Sequence, residues 1–276
     1  MEHAPSIDSR NGDGESDEAD ARAGKVPAGS QTLLRGLDVL EAVVAGPVSL
    51  SDLAGGLGLT RSTTHRLANA LIERRYLAMA PGRGYQLGPK LLELGFRAQQ
   101  QIDLVQVARS RLEHLADRSE DTVHLGVRDG DRALYLDKIA GRRRIAISSR
   151  VGDRHPLTAT GLGKALLIDE PRAAWEALFA ADQAGGAVPI AWDVWHDRMQ
   201  GYVQVGRAFD LEENEDQIRC VAAPVRDVTG RVVGALSVSS AAQYMDDRRM
   251  EALTRDVVET ARQVSEDLGW SGNSPR

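Results

Sequence analysis

The strongest constraint on the fold is an ordered pattern between residues 30 and 88. Three stretches with apolar residues at helical spacing are separated by short turns, and two β-prone runs around a Pro-Gly turn follow them. The stretches begin at residues that suit helix N-caps, namely Ser30, Ser49 and Thr60, and the first is expected to stop before Gly46. Helix, short helix, helix and β-wing in this order predict a winged helix-turn-helix domain over residues 30–88.

In such a domain the third helix lies in the major groove of DNA, and its first turns read the base edges. With the apolar side facing inward, five polar side chains project outward together: Arg61, Ser62, His65, Arg66 and Asn69. Arginine pairs with guanine and asparagine with adenine, whereas hydroxyls at a helix N-terminus, here Ser62 and Thr63, suit phosphate contacts. Arg83, at the tip of the wing, is expected to reach a phosphate or the minor groove. The alternatives are that this face is only solvated, or that the winged helix docks a protein.

The distribution of charge favours the DNA-binding interpretation. The whole chain has a net charge of −6. Residues 1–24 carry seven acidic residues and two arginines, a net −5, whereas residues 26–90 carry seven basic and four acidic residues, a net +3. A chain that is acidic overall but basic in one segment is expected to have a local anionic partner, and the winged helix-turn-helix pattern makes double-stranded operator DNA the candidate. Residues 1–29 contain almost no large apolar residues, so a disordered tail is predicted there.

The second half of the chain predicts a different kind of domain. A helix opened by Pro89 is expected to connect the two halves over residues 89–102, and a domain over 103–270 precedes a short tail, 271–276. Period-2 patterns predict strands at 122–127, 133–139, 144–148, 218–225 and 231–239. Helical spacing predicts helices at 103–119, from about 160, and at 171–181, 191–205 and 246–268. The fold class is therefore α+β, an antiparallel sheet with helices packed against it.

Several classes of function are disfavoured. Cys220 is the only cysteine, so no disulfide forms within the chain. No apolar run is long enough to span a bilayer and no signal peptide pattern is present, so we expect a cytoplasmic protein without a membrane partner. The run Gly161–Lys164 resembles a phosphate loop, but Thr158 and Ala165 stand where that motif requires Gly and Ser or Thr. We expect no enzymatic activity, catalytic residue, metal or cofactor, and keep as alternatives an enzyme with an accessory winged helix and a protein-docking adaptor.

Many short motifs, in order along the chain, carry a resemblance. They are Leu50–Ala54, Arg61–Leu67, Tyr85–Leu91, Thr122–Leu125, Leu134–Lys138, Arg150–Gly152, Thr160–Leu167, Ile218–Val225 and Ala235–Ser239. Through them the chain resembles the IclR family of bacterial transcription regulators over nearly all of residues 30–270. No single motif decides the matter, but their number and order do.

The resemblance implies a winged helix-turn-helix joined by a helix to a GAF-like effector-binding domain. It also implies dimers, often paired into tetramers, that bind palindromic operators and more often repress than activate. The effector is expected to be a small carboxylate, such as a sugar acid or an aromatic acid, that controls a catabolic operon. Carried over by position, the effector pocket would include Ile147, His155, Gly161, Leu162, Asp210, Cys220, Ser237 and Ser239.

Two departures from the family pattern bear on the ligand. His155 stands where an apolar residue is common, and residues 191–214 are rich in aromatic and acidic side chains. Both indicate a more polar ligand than a two- or three-carbon acid, and a sugar acid is our first expectation. Backbone N–H groups near Gly161, at a predicted helix start, would suit its carboxylate.

Overall fold

The computed structural model describes residues 30–143, 147–186 and 189–272. The chain divides into two compact units, one ending at Gln101 and the other starting at Ile102. The predicted disordered tail at residues 1–29 and most of the predicted C-terminal tail, residues 273–276, lie outside the described residues.

The first unit contains a helical core and a small hairpin. Its elements are α1 (Ser30–Glu41), α2 (Leu50–Gly56), α3 (Arg61–Glu73), β1 (Leu77–Ala80), β2 (Gly84–Leu87) and α4 (Pro89–Gln101). The predicted caps begin α2 and α3, since the Ser49 and Thr60 hydroxyls accept hydrogen bonds from the Asp52 and Thr63 amides, each at 3.2 Å. Leu53, Leu67 and Leu77, among others, form one apolar cluster. Helix, turn, helix and wing therefore share a core, as the sequence pattern predicts.

The wing is tied to the loop before α2. Val48 and Tyr85 exchange backbone hydrogen bonds of 2.9 and 2.8 Å in an isolated bridge. Gly84 has a φ of +105°, and a Cβ there would lie 2.2 Å from the Val48 carbonyl oxygen. Only glycine fits this close approach. α1 ends at Glu41 and is followed by turns, so it is shorter than the helix predicted up to Gly46.

The second unit is a sheet with helices on both faces. Its strands are β3 (Thr122–Asp129), β4 (Arg132–Ile139), β5 (Arg154–Pro156), β6 (Ala208–Leu211), β7 (Ile218–Arg226) and β8 (Val232–Ala241), in the spatial order β5-β4-β3-β8-β7-β6. Its helices are α5 (Leu104–Ser119), α6 (Gly161–Leu166), α7 (Arg172–Ala184), α8 (Trp192–Val205) and α9 (Asp247–Asp267). All strand pairs are antiparallel. The predicted α+β fold class is confirmed.

Alternation along the central strands sends side chains to two different cores. Val123, Leu125 and Val238 join the apolar cluster formed with α5 and α9. The residues between them, such as His124 and Ser237, point to the opposite face, where α6, α7 and α8 pack. We call this opposite face the inner face of the sheet. It carries the polar side chains discussed below.

The two edge strands were not predicted from the sequence. β5 and β6 have three and four residues, too few to establish a period-2 pattern. The strand predicted at 144–148 is not found in its described part, since Ile147 and Ser148 have no regular structure; residues 144–146 lie outside the described residues. The Lys138 ammonium instead donates to the Ile147 and Ser149 carbonyls at 2.7 and 2.6 Å, so a side chain replaces strand pairing there.

Candidate functional site

The outer face of α3 carries the side chains predicted to contact DNA. Thr64, Leu67 and Ala68 are buried, whereas the opposite face presents exposed side chains: Arg61, Ser62, His65, Arg66 and Asn69. Thr63 is half-buried, and its hydroxyl accepts a hydrogen bond of 2.9 Å from Thr60. Arg83 is exposed in the turn between β1 and β2. The periodicity therefore orients this helix as expected, with two arginines, an asparagine and hydroxyls on one surface.

These arginines have no ion-pair partner among the described residues. In the described part of the first unit, the salt bridges are Lys90–Glu93 and Arg97–Glu93, both on α4. Arg61, Arg66 and Arg83 form none there. Their guanidinium groups can therefore contact phosphates or base edges without first losing an ion pair to another described residue of the unit.

The second candidate site lies on the inner face of the sheet. Strand register places two cross-strand rows there: Asp210, Cys220, Ser239 and Thr122 in one, and Ala222, Ser237, His124 and Lys138 in the other. Asp210, Cys220, Ser237 and Ser239 are all buried. A polar row beneath packed helices is a costly arrangement unless the polar groups find partners.

Three buried polar atoms on this face have no hydrogen-bond partner among the described residues. They are His124 Nδ1, His155 Nε2 and Ser237 Oγ. The other ring nitrogen of His124 lies 2.8 Å from Ser149 Oγ. The Tyr135 ring lies between the two histidines, with centroid distances of 5.0 Å to His124 and 4.6 Å to His155. Because native proteins rarely leave such atoms unpaired, these three atoms are available for contacts with water or with a polar ligand.

The charge state of this face follows from its burial. Burial lowers the pKa of His124 to about 3, so the ring is neutral near pH 7. Burial raises the pKa of Asp210 to about 6, against the opposing effect of the Lys164 ammonium. Burial raises the pKa of the Cys220 thiol to about 12, so this cysteine is not a reactive thiolate. At neutral pH the face presents neutral rings, hydroxyls and a thiol, with Asp210 as its acidic group. Its basic group is the Lys138 ammonium, which donates to the Ile147 and Ser149 carbonyls.

A buried ion-pair network holds the segment that carries Asp210. Lys164 is 1% exposed, donates to the Phe209 carbonyl at 3.0 Å and forms a salt bridge with Glu213. Arg198 binds the other oxygen of Glu213 at 2.7 Å. The Glu213 amide in turn donates to the Asp210 carboxylate at 2.8 Å. Lys164 thus belongs to a structural network, in agreement with the absence of a complete phosphate-loop motif.

The start of α6 packs directly against the polar rows. A Cβ on Gly161 would lie 2.5 Å from Cys220 Sγ, and a Cβ on Gly126 would lie 3.1 Å from a Leu162 methyl group. Both glycines are needed for this close approach. Gly161 therefore lies beside Cys220 and Asp210, and Leu162 lies over the sheet next to them.

The structure brings most of the residues predicted for the effector pocket onto one face. Gly161, Asp210, Cys220 and Ser239 are neighbours, and His155 and Ser237 lie on the same face. Ile147 lines a narrow cleft together with Ser239. His124 and Tyr135, which lie on the same face, were not among the residues predicted from the sequence. His124 could have been found, because it is the polar residue between Val123 and Leu125 in a strand with period-2 alternation.

Two further classes of site do not occur among the described residues. No group of three histidine, cysteine, aspartate or glutamate side chains in that part of the chain is placed to hold a metal ion. Within the same residues, no helix has both the length and the apolar character needed to cross a membrane.

Two features of this chain together define a class of protein. The first is a winged helix-turn-helix whose third helix exposes arginines, and the second is a separate sheet domain with a buried polar face. The class is that of DNA-binding regulators with a second, separately folded domain.

Sequence comparison identifies the family within this class. The IclR helix-turn-helix domain matches residues 32–80, and the bacterial transcriptional regulator IclR C-terminal domain matches residues 96–266. The chain belongs to the IclR family of transcriptional regulators. Its relatives are regulators rather than enzymes.

Individual relatives match over most of their length. The chain is 33% identical to the HTH-type transcriptional regulator XynR of Escherichia coli K12, over 87% of this chain and 98% of that protein. It is 30% identical to the DNA-binding transcriptional repressor YiaJ of the same strain, over 89% and 90%. The crystal structure of Pseudomonas aeruginosa HmgR superposes with a TM-score of 0.75 at 24% identity, over 88% of this chain and all of that one, which shows the shared fold.

Proposed function

We propose that this protein is a cytoplasmic, ligand-responsive repressor of a catabolic operon, and that it senses a small carboxylate such as a sugar acid or an aromatic acid. In this proposal residues 30–88 bind operator DNA, residues 89–102 connect the two domains, and residues 103–270 bind the effector. Repression is supported by relatives such as YiaJ, whose name describes a repressor.

The observation that carries the sensing role is the trio of buried, unpartnered atoms on the inner face. His124 Nδ1, His155 Nε2 and Ser237 Oγ lie on adjoining strands and lack partners among the described residues. An unsatisfied buried donor costs about 1–3 kcal/mol. A ligand that satisfies several of them would recover that free energy on binding.

The chemistry of the face favours a hydroxy acid. A serine hydroxyl and neutral imidazoles can donate to a carboxylate, whereas the Asp210 carboxylate can accept from ligand hydroxyls. A sugar acid offers both kinds of group. An aromatic acid would instead use its carboxylate with the donors and pack its ring beside Tyr135, whose own ring is tilted by 35° to that of His155 with the centroids 4.6 Å apart.

The DNA-binding role rests on the outer face of α3. We propose that Arg61, Arg66 and Asn69 contact base edges, while the hydroxyls of Ser62 and Thr63 contact phosphates. His65 is assigned to the same interface; its ring nitrogens lie 3.4 Å from the Asn69 amide nitrogen, so His65 can orient that amide. Arg83 would contact the backbone beside the groove from the wing.

Self-association is proposed from apolar faces that the first unit leaves exposed. Leu33 and Leu37 of α1 are 65% and 45% exposed, and Leu92 and Phe96 of α4 are 79% and 63% exposed. Apolar side chains in such numbers on two helices mark an interface. We propose a dimer that covers them, with pairing of dimers as a further step, and sedimentation at micromolar concentration tests both.

A thermal-shift screen against sugar acids, aromatic acids and short keto acids tests the sensing role. A ligand at 100 times its Kd adds about 2.7 kcal/mol of stability, which such an assay detects. We expect at least one acid to stabilise the protein, and Ser237→Ala to reduce that shift. The matched control is Ser148→Ala, which removes a hydroxyl bonded to Glu215 at 3.0 Å instead of an unpartnered one.

The alternatives predict different outcomes. Turnover of an acid by the purified protein would contradict the repressor proposal in favour of an enzyme. Absence of both a ligand shift and DNA binding would contradict it in favour of a protein-docking adaptor.

A further inference from the structure

We propose that the acidic segment at residues 13–20 binds the arginine-bearing surface around α3 and thereby competes with DNA. The proposal goes beyond the proposed function and rests on its DNA-binding part. The segment holds five acidic residues in eight positions: Asp13, Glu15, Asp17, Glu18 and Asp20. We call it the acidic segment.

The surface offered to this segment is built to take anions. Arg61 and Arg66 on α3 and Arg83 on the wing are exposed and have no ion-pair partner among the described residues. Arg74 and Arg75, at the end of α3, are exposed as well. A surface with this charge attracts carboxylates by the same physics that attracts DNA phosphates.

The acidic segment cannot be far from this surface. Asp20 lies ten positions before Ser30, where α1 begins, and ten residue steps span at most about 36 Å. A compact domain the size of residues 30–88 has a radius of gyration of about 10 Å, hence a diameter of about 27 Å. Most of that domain's surface is therefore within reach of the acidic segment, and such tethering gives effective concentrations on the order of millimolar.

Competition of this kind has a defined effect on DNA affinity. If the segment occupies the surface for most of the time, the apparent Kd for DNA rises by the inverse of the fraction left open. The factor is the same for every duplex, because the segment must leave before any of them binds. It falls as ionic strength rises, because salt screens the attraction between carboxylates and guanidinium groups.

The first test needs no DNA. The full chain and a variant with all five acids neutralised (Asp13→Asn, Glu15→Gln, Asp17→Asn, Glu18→Gln, Asp20→Asn) are treated with the arginine reagent phenylglyoxal at low ionic strength. Mass spectrometry then gives the modification rate of each arginine. We expect Arg61, Arg66 and Arg83 to react several-fold faster in the variant than in the full chain, and faster at high salt than at low salt. Arg231, which lies in the second unit, is 73% exposed and pairs with Asp227, is the internal control for the first comparison, and its rate should be the same in the full chain and the variant.

The second test measures the affinity for a short fluorescent duplex of arbitrary sequence by anisotropy. We expect the variant with all five acids neutralised to bind the duplex about tenfold more tightly than the full chain at low salt. At high salt the two Kd values should become equal. The effect of net charge alone is separated by two variants that each remove two negative charges. Asp17→Asn/Glu18→Gln should tighten binding, whereas Asp197→Asn/Asp216→Asn, at exposed positions of the second unit, should not.

Each outcome is decisive. Equal modification rates in the full chain and the variant would overturn the proposal, as would equal tightening by both double variants. If no variant binds the duplex at any salt concentration, the DNA-binding proposal fails, but the modification rates still decide whether the acidic segment covers the arginines.

Discussion

The two candidate sites of this protein use side chains in opposite ways. The residues on the outer face of α3 are exposed and contribute little to the core, whereas those on the inner face of the sheet are buried among packed helices. Changes to the first set should therefore alter DNA affinity and leave stability intact. Changes to the second set should alter stability and ligand response together. Five predictions, from the largest expected effect to the smallest, test that contrast.

Replacement of Lys164, whose ammonium is buried, should lower the free energy of unfolding more than any other change proposed below. Lys164→Met leaves Glu213 buried without its nearest cation, and breaking a buried pair in this way costs about 3–5 kcal/mol. The four tryptophans all lie in the second unit, so their fluorescence during urea unfolding reports on that domain. The exposed pair Arg172–Glu176 supplies the control, since Arg172→Met should cost less than about 1 kcal/mol. Equal effects would show that burial of the network is irrelevant.

A methyl group on Gly161 should disturb the inner face. Gly161→Ala brings a Cβ to 2.5 Å from Cys220 Sγ, and overpacking of this kind costs about 1–3 kcal/mol. Cys220→Ala in the same chain should restore part of that loss by removing the sulfur. Gly55→Ala is the matched control in the first unit: nothing lies within 4 Å of its Cβ, so it should be neutral or stabilising. No coupling between positions 161 and 220 would contradict the packing described.

A single arginine on α3 should affect DNA without affecting the fold. Arg61→Ala should weaken specific operator binding by about 1–3 kcal/mol if the side chain reads a base, and change the free energy of unfolding by less than about 0.5 kcal/mol. Anisotropy with a duplex selected by the protein from a random pool measures the first quantity. Arg97→Ala on α4 is the control and should leave operator affinity unchanged, since its side chain is 70% exposed and paired with Glu93. Unchanged affinity in Arg61→Ala would remove this residue from the interface.

The pH dependence of the free energy of unfolding should reveal that His124 is buried as a neutral ring. The pKa of His124 is lowered to about 3, so the unfolded chain gains a proton near pH 6.5 that the folded chain does not take up. Stability from this residue is present above pH 6.5 and is lost as pH falls, by about 1 kcal/mol between pH 6.5 and 5.5. His124→Gln should remove that part of the slope.

Asp210 should change stability with pH in the direction opposite to His124. Its pKa is raised to about 6, so its contribution is present below pH 3.8 and is lost as pH rises through 6. Asp210→Asn should therefore steepen the loss of stability on acidification. Urea unfolding at a series of pH values measures both variants, and parallel curves for wild type and both variants would contradict these buried charge states.

The contrast between the sites also explains what could be predicted from sequence. One helix with period 3.6 determines which residues of α3 face outward, so the exposed set around Arg61 followed from local pattern alone. The inner face depends on which strand pairs with which, and β3 pairs with β8, more than a hundred residues later. Ser237 and Asp210 were predicted as pocket residues from the resemblance to a known family. The local sequence pattern did not predict that His124 lies on the same face.

The edge strands β5 and β6 also could not be predicted from local sequence. β6 has four residues and β5 has three, and each is held in the sheet by one neighbour. Strands this short form because longer strands offer free edges, a tertiary cause that no short window of sequence contains. The predicted strand at 144–148 carried β-prone residues, yet the carbonyls of Ile147 and Ser149 bind the Lys138 side chain instead.

The most direct test of a regulator with two separate sites is the affinity for its selected operator duplex, measured with and without an acid that stabilises the protein in the thermal-shift screen. A ligand that couples to DNA binding should change the Kd of the operator by about 5- to 150-fold, and Ser237→Ala should reduce that change while keeping the affinity of the ligand-free protein. An acid that stabilises the protein but leaves the operator Kd unchanged would contradict effector control of DNA binding.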